Sequence, residues 1–210
     1  MYYGPDILIQ AGVSINGMDQ DESALLLNIP LAFVNAIGTL ISAVYIDKFG
    51  RRFLMLRSLP VATIGWIITA TGMYFVQYKA NNSDRGTYTA FSGIIIFLAS
   101  FSIGMSSTPW TVNAEIYPLH VIGTANSLST TTNWATNFVV ATVFLLMLDT
   151  KLGSVLCFVI LAVMAVLAWF FIYLLLPETA EKPINQILRE ILGDGYKPAC
   201  QSETVESEGD

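Results

Sequence analysis

Amide and indole side chains recur at helical spacing inside apolar stretches of this 210-residue chain. Polar residues of 24–46 share one helix face at spacings of 7, 4 and 3: Asn28, Asn35, Thr39 and Ser42. A second stripe in 122–148 is bordered by Trp134: Asn126, Thr130, Asn133 and Asn137. Amides donate and accept hydrogen bonds, and an indole offers a flat apolar face. Such groups suit a neutral polyhydroxyl ligand better than an ion, which would favour carboxylates.

The alternative is that these side chains only hold neighbouring helices together, at about 0.6–2 kcal/mol for each hydrogen bond. That explanation suffices for one isolated Asn. Two stripes beside a broken helix favour a shared polar cavity instead.

The expected break lies in 104–118, where Gly104, two serines, Thr108 and Pro109 weaken an apolar helix just before Trp110. In lipid, such a break is tolerated only where the backbone is buried in protein or lines a water-filled cavity. Pro5 and Pro30 give similar break signals. Broken helices near the middle of the membrane build the substrate sites of many transporters.

A charged cluster follows the first stripe, at residues 47–52. Arg51 and Arg52 can each pair with a carboxylate, and the available partners are Asp47, Glu115 and Glu178. The two arginines are also explained by anchoring on the cytoplasmic side alone, but the acidic residues at membrane ends are not. We therefore expect a salt-bridge latch that opens and closes with changes of shape.

Composition indicates an all-α membrane protein, because 54% of the residues are apolar and only 12% are charged, against about 25% charged in soluble domains. Apolar runs of about 20 residues match the thickness of a bilayer. Six membrane segments are predicted: 1–13 (partial), 24–46, 58–78, 88–113, 122–148 and 153–176. Three regions follow: a membrane domain at 1–176, a cytoplasmic amphipathic helix at 177–193, and a disordered acidic tail at 194–210.

Lysines and arginines concentrate in the loop 47–57 and after the last segment, which places that loop and the C-terminus in the cytoplasm. Asn81 is then a glycosylation candidate on the opposite side. Residues 1–6 lack the features of a signal peptide and look like the middle of a helix, so we expect a longer protein of which this is the C-terminal part.

Several function classes find no support in the sequence. One His and two separated cysteines give no metal-ligand spacing, no catalytic or cofactor motif is present, and no basic patch with aromatics suggests nucleic acid. We expect neither an enzyme nor a cofactor or a metal.

The chain resembles the C-terminal half, helices seven to twelve, of a sugar porter of the major facilitator superfamily. The resemblance is carried in order by residues 47–52, 109–110 with 115–118, 133–137 and 177–179, and by Tyr2-Tyr3. Residues 109–115 are most similar to the proton-coupled myo-inositol branch.

The resemblance implies transport of a sugar or cyclitol by alternating access, coupled to protons, in the plasma membrane, together with an N-terminal six-helix half. It implies substrate contacts at Asn35, Trp110, Asn133 and Asn137, with Trp134 nearby and Tyr2 and Tyr3 at the outer gate. It also implies an inner salt-bridge network of Asp47, Arg51, Arg52 and Glu115.

Three positions depart from the family pattern. Ser102 stands where glucose facilitators carry Glu, and Ile122 and His120 stand where Arg is frequent. The first departure argues against a glucose-facilitator pocket, and the other two predict a weaker or pH-sensitive latch. A rival interpretation is a sugar sensor that keeps the fold and transports nothing; a long structured cytoplasmic tail would favour it.

Overall fold

The computed structural model describes residues 4–11, 19–78, 83–118, 120–148, 150–180 and 182–192. Those residues form eight helices. They are α1 (Gly4–Gln10), α2 (Gln20–Phe49), α3 (Arg51–Tyr78), α4 (Ser83–Gly104), α5 (Thr108–Glu115), α6 (Ile122–Leu148), α7 (Lys151–Leu175) and α8 (Ile184–Leu192). The predicted tail at 194–210, Tyr2, Tyr3 and Asn81 lie outside the described residues.

Within the described ranges, four stretches are long and apolar enough to cross a membrane: Glu22–Phe49, Arg51–Tyr78, Asp84–Glu115 and Leu152–Leu175. The third joins α4 and α5 across their break. α6 has 27 residues but is not among the four, and its first half carries the amides and hydroxyls of the second stripe. That α1 and α6 also cross the membrane, which would give six crossings, therefore remains a prediction.

The predicted loop at 47–57 is wrong. α2 continues to Phe49 and α3 begins at Arg51, so Gly50 alone connects them. Gly50 has φ 86°, a backbone conformation that other residues rarely adopt, and this permits the reversal within one residue. The charged cluster thus lies at two helix ends and not on a loop.

The predicted helix break at Pro30 is wrong. Pro30 lies inside α2, which runs 30 residues without interruption. Proline removes one hydrogen-bond donor, and neighbouring helices in a membrane can compensate for that loss.

The interface between α3 and α4 is the most extensive helix contact of the molecule. Small residues make it possible, since Gly72 packs against the backbone of Ala90 and a Cβ built at Gly93 would lie 2.6 Å from the backbone nitrogen of Thr69. Helices in lipid associate by close approach at small residues, because lipid tails are as apolar as side chains and no hydrophobic effect drives the helices together.

α7 also packs on α3, and α2 packs on α4 and α1. The α3–α7 contact includes a hydrogen bond from Trp169 Nε1 to the carbonyl oxygen of Leu56, at 3.0 Å. Large apolar side chains on α2 and α7 point outward, including Leu40 and Leu174. In a membrane-spanning chain these faces meet lipid.

α6 and α8 complete the described architecture. α6 contacts α7 and α5 less extensively than α3 contacts its neighbours, and every residue from 131 to 140 is exposed. In α8, which lies within the predicted amphipathic segment, Ile187 and Leu188 are buried. The second polar stripe is therefore carried by the least covered long helix of the molecule.

Candidate functional site: an amide-lined wall and a charged corner

The helix break falls between Gly104, the last residue of α4, and Thr108, the first of α5. Residues 105–107, here called the break segment, form the turn between them. Pro109 lies in the first turn of α5, where its missing N–H leaves no hydrogen bond unmade. Gly104 lies against Ser58 of α3, and a Cβ there would be 2.7 Å from the carbonyl oxygen of Leu54. Glycine therefore lets the end of α4 approach α3.

Two hydroxyls of the first stripe hold the break segment in place. Thr39 Oγ1 is 3.1 Å from Ser106 Oγ, and Ser42 Oγ is 3.1 Å from Ser107 Oγ. These two side chains act as contacts between helices, as the simpler explanation of the stripe proposed. They fix α2 beside the turn that carries α5.

The second stripe has one residue that bonds to another helix, and others that are exposed. Asn126 Oδ1 accepts a hydrogen bond of 2.8 Å from Asn113 Nδ2, which joins α6 to α5. Further along α6, Asn133, Trp134 and Asn137 are exposed. Their amides and indole face outward from this set of helices and are accessible to a ligand or to another part of the protein.

The remaining predicted substrate residues lie on two other elements. Asn35 of α2 is half-buried, and its backbone carbonyl accepts from Thr39 Oγ1. Trp110 of α5 has 48% of its surface exposed. Trp110 and Glu115 share one eight-residue helix, so the indole and the carboxylate belong to one short rigid unit.

A cavity of about 340 Å³ lies among α1, α2, α3, α4, α6 and α7. Of the predicted substrate residues in the described ranges, Asn137 alone lines it. Asn28 from the first stripe lines it too, together with aromatic residues that the sequence interpretation did not single out: Trp66, Phe97 and Phe144. Aromatic residues within apolar runs look like ordinary core, so only the fold relates them to the amides.

The charged corner, defined as Asp47, Arg51, Arg52, Glu115 and Glu178, joins α2, α3 and α5 to the segment after α7. Arg51 Nη2 is 2.9 Å from Asp47 Oδ1 and 2.9 Å from Glu115 Oε1. The Arg51 side chain is only 11% exposed, so this pair of contacts is shielded from water on the arginine side. Arg51 thereby connects α2, α3 and α5.

Glu178 has a backbone role in the corner that the sequence did not reveal. Its carboxylate accepts from the backbone nitrogens of Arg51 at 2.8 Å and Arg52 at 3.1 Å. A Cβ built at Gly50 would lie 2.7 Å from Glu178 Oε2. Glycine at this position leaves room for the carboxylate that caps α3.

The Arg52 side chain has a different partner from the carboxylate that was predicted. Its Nη2 donates to the carbonyl oxygen of Tyr173 at 2.7 Å, and no carboxylate among the described residues forms a salt bridge with it. Tyr173 is in the last turn of α7, where carbonyls lack partners within the helix and a cation is favourable. The ion pairs of the corner thus centre on Arg51.

The model of the family described as "Sugar (and other) transporter" matches residues 1–190. The chain belongs to the sugar transporter family. The chain is therefore an integral, multi-pass membrane protein of a transporter family and not an enzyme.

Relatives of this chain include proteins named for sugars and for inositol. The chain is 31% identical over 188 residues to membrane transporter D1 of Leishmania donovani, covering 89% of this chain and 33% of that protein. It is 30% identical over 188 residues to sugar transporter ERD6-like 8 of Arabidopsis thaliana, covering 89% and 37%. Probable inositol transporter 2 of the same plant is 27% identical, covering 89% and 44%. The chain therefore spans about a third to under half of the length of these relatives.

Solved structures agree on the fold. A double-tryptophan mutant of XylE superposes with a TM-score of 0.70 at 23% identity, covering 90% of this chain and 38% of that one. A D-xylose-proton symporter superposes with a TM-score of 0.56 at 24% identity, covering 87% and 44%. The helices described above are thus an all-helical fragment, about half of a transporter of this fold.

Proposed function

We propose that this chain is the C-terminal half of a secondary transporter that moves a sugar or a cyclitol, of the myo-inositol type, by alternating access coupled to protons. The observation that carries the proposal is the exposure of amide and indole side chains on α5 and α6. Trp110, Asn133, Trp134 and Asn137 are exposed there, in a chain that otherwise exposes mostly apolar groups to lipid.

The chemistry of this surface suits a polyol. Amides can serve a hydroxyl as donor and as acceptor, and an indole can pack against the C–H face of a sugar ring. In the proposed complete transporter the N-terminal half covers this surface and closes the substrate cavity. The family relationship and the names of the relatives support sugars and inositol as the substrate class.

Alternating access needs a contact that differs between two states. We assign this role to the Arg51 ion pairs, on the cytoplasmic side. Glu115 is the last residue of α5, which also carries Trp110. The three-residue break segment connects α5 to α4. Release of Glu115 from Arg51 would free α5 to tilt, and the tilt would move the Trp110 indole at the substrate surface.

The test is uptake of radiolabelled myo-inositol and D-glucose into vesicles containing the complete transporter, with and without an inward proton gradient. We expect saturable uptake that the gradient accelerates. Asn133→Ala and Trp110→Ala should each raise KM about 5- to 30-fold, corresponding to about 1–2 kcal/mol of lost binding.

Thr132→Val is the matched control, because the Thr132 hydroxyl is bonded within its own helix to the carbonyl of Leu128. It should transport like the wild type. Unchanged KM in both site variants would refute the assigned surface, and the absence of any polyol uptake would refute transport. Polyol binding without uptake would instead favour a sensor.

A further inference from the structure

Asn28 has a buried polar atom and is not among the substrate residues proposed above. Its Oδ1 is shielded from solvent and has no hydrogen-bond partner in the described part of the chain. A buried acceptor left unpaired costs about 1–3 kcal/mol, and most such atoms in native proteins are paired. The position of Asn28 in the cavity offers a reason for the missing partner.

The amide is held between α1 and α2. A Cβ built at Gly4 of α1 would lie 2.5 Å from Asn28 Oδ1. Glycine therefore leaves space for this oxygen where any larger residue would displace it. Asn28 and Asn137 line the same cavity, so amides of α2 and α6 meet one partly open space.

The floor of the cavity is aromatic. The rings of Trp66 and Phe97 stack with centroids 3.8 Å apart, and Phe144 lines the same space. An aromatic surface with a few amides fits a polyol ring, whose C–H faces are apolar and whose edge carries hydroxyls. The volume of about 340 Å³ lies in the range of small-molecule sites.

We infer that Asn28 is a substrate-contacting residue, whose Oδ1 accepts a hydrogen bond from one hydroxyl of the polyol. Asn137 binds a different hydroxyl, and the ring packs over Trp66 and Phe97. Asn28 thus selects for the presence of one particular hydroxyl. This inference rests on the proposed function and extends its substrate surface from α6 into the cavity between α1 and α2.

The experiment measures KM and kcat of the complete transporter for myo-inositol and D-glucose, and inhibition by the monodeoxy analogues of the better substrate. The wild type should bind one analogue about 5- to 10-fold more weakly than the parent compound, the effect of one neutral hydrogen bond. In Asn28→Ala, that analogue should bind as tightly as the parent compound. The affinities of the other analogues relative to the parent should stay as in the wild type. The KM of Asn28→Ala for the parent should rise by the same factor, with kcat changed less than about twofold.

Asn126→Ala is the matched control, because that amide is bonded to Asn113 and not to a cavity. It should shift the affinities for all analogues together, if at all. If Asn28→Ala keeps the wild-type KM and the complete analogue pattern, the inference is wrong while the proposed function stands. If the wild type neither binds nor transports a polyol, both are wrong.

A second measurement covers the case in which Asn28→Ala fails to reach the membrane. Asn28→Cys, in a Cys200→Ser background, is labelled with a small maleimide; native Cys157 is buried. Substrate should slow the labelling at least about threefold at saturation. Equal rates with and without substrate would overturn the inference.

Discussion

At the scale of single residues, one carboxylate organises the charged corner. Glu178 Oε1 accepts from the backbone nitrogens of Arg51, Thr179 and Ala180 at 2.8, 3.1 and 3.1 Å. It caps α3 from a position 127 residues later in the chain. Backbone donors at a helix start need an acceptor, and a carboxylate there also complements the helix dipole.

Glu178→Ala should therefore lower the free energy of unfolding by about 1–2 kcal/mol, the cost of losing a strong cap. Thermal unfolding of the purified protein in detergent measures this. Glu190→Ala is the control, since the Glu190 pair with Lys182 is solvent-accessible and worth at most about 1 kcal/mol. Equal destabilisation by both variants would contradict the capping role of Glu178.

At the scale of elements, the packing of α3 against α4 determines how rigidly the cavity floor is held. Trp66 and Phe97 come from these two helices, and a Cβ built at Gly65 would lie 2.6 Å from the backbone nitrogen of Phe97. The ring stack thus depends on close approach of two helix backbones. A small change of their separation would move the floor of the proposed substrate site.

Gly93→Val tests this interface, because its Cβ would meet the backbone nitrogen of Thr69 at 2.6 Å and the carbonyl of Gly65 at 2.8 Å. Backbone atoms cannot rotate away, so α4 must shift. We expect a loss of about 1–3 kcal/mol of stability, measured as a lower midpoint of thermal unfolding.

Gly123→Ala is the control for helix propensity. A Cβ at Gly123 has nothing within 4 Å, and alanine is the better helix former. This variant should be neutral or slightly stabilising. If Gly93→Val proved as stable as the wild type, the close contact between α3 and α4 would not support the fold.

At the scale of the whole molecule, the proposed substrate surface is one-sided. Asn133 and Trp134 of α6 are exposed among the described residues, and the chain spans about a third of relatives such as membrane transporter D1. A transporter needs a second wall that can close the cavity on either side in turn.

Reconstituted alone, the 210-residue chain should therefore give no saturable polyol uptake above empty vesicles. Co-expression with the proposed N-terminal six-helix half should restore it. Uptake by the chain alone would show that its own helices, or a second copy, provide the missing wall.

Much of the architecture could be predicted from the sequence, because in lipid each apolar run of spanning length must form a helix that satisfies its own backbone. The break between α4 and α5 followed from Gly104 and Pro109 for the same local reason. The connection at 47–57 could not be predicted, since hydropathy does not show where a helix continues beyond the apolar core, and both α2 and α3 extend into the charged residues.

The sequence by itself determined which residues share a helix face, because spacing along one helix is a local property. Only the tertiary structure decided what each residue meets. Thr39 and Ser42 bond to the break segment and Asn126 bonds to α5, whereas Asn137 meets a cavity. Arg51 reaches two carboxylates, whereas neighbouring Arg52 reaches a helix end. The physical reason is that partners such as Ser106 for Thr39 and Tyr173 for Arg52, 67 and 121 residues away, depend on how helices pack, which no local pattern specifies.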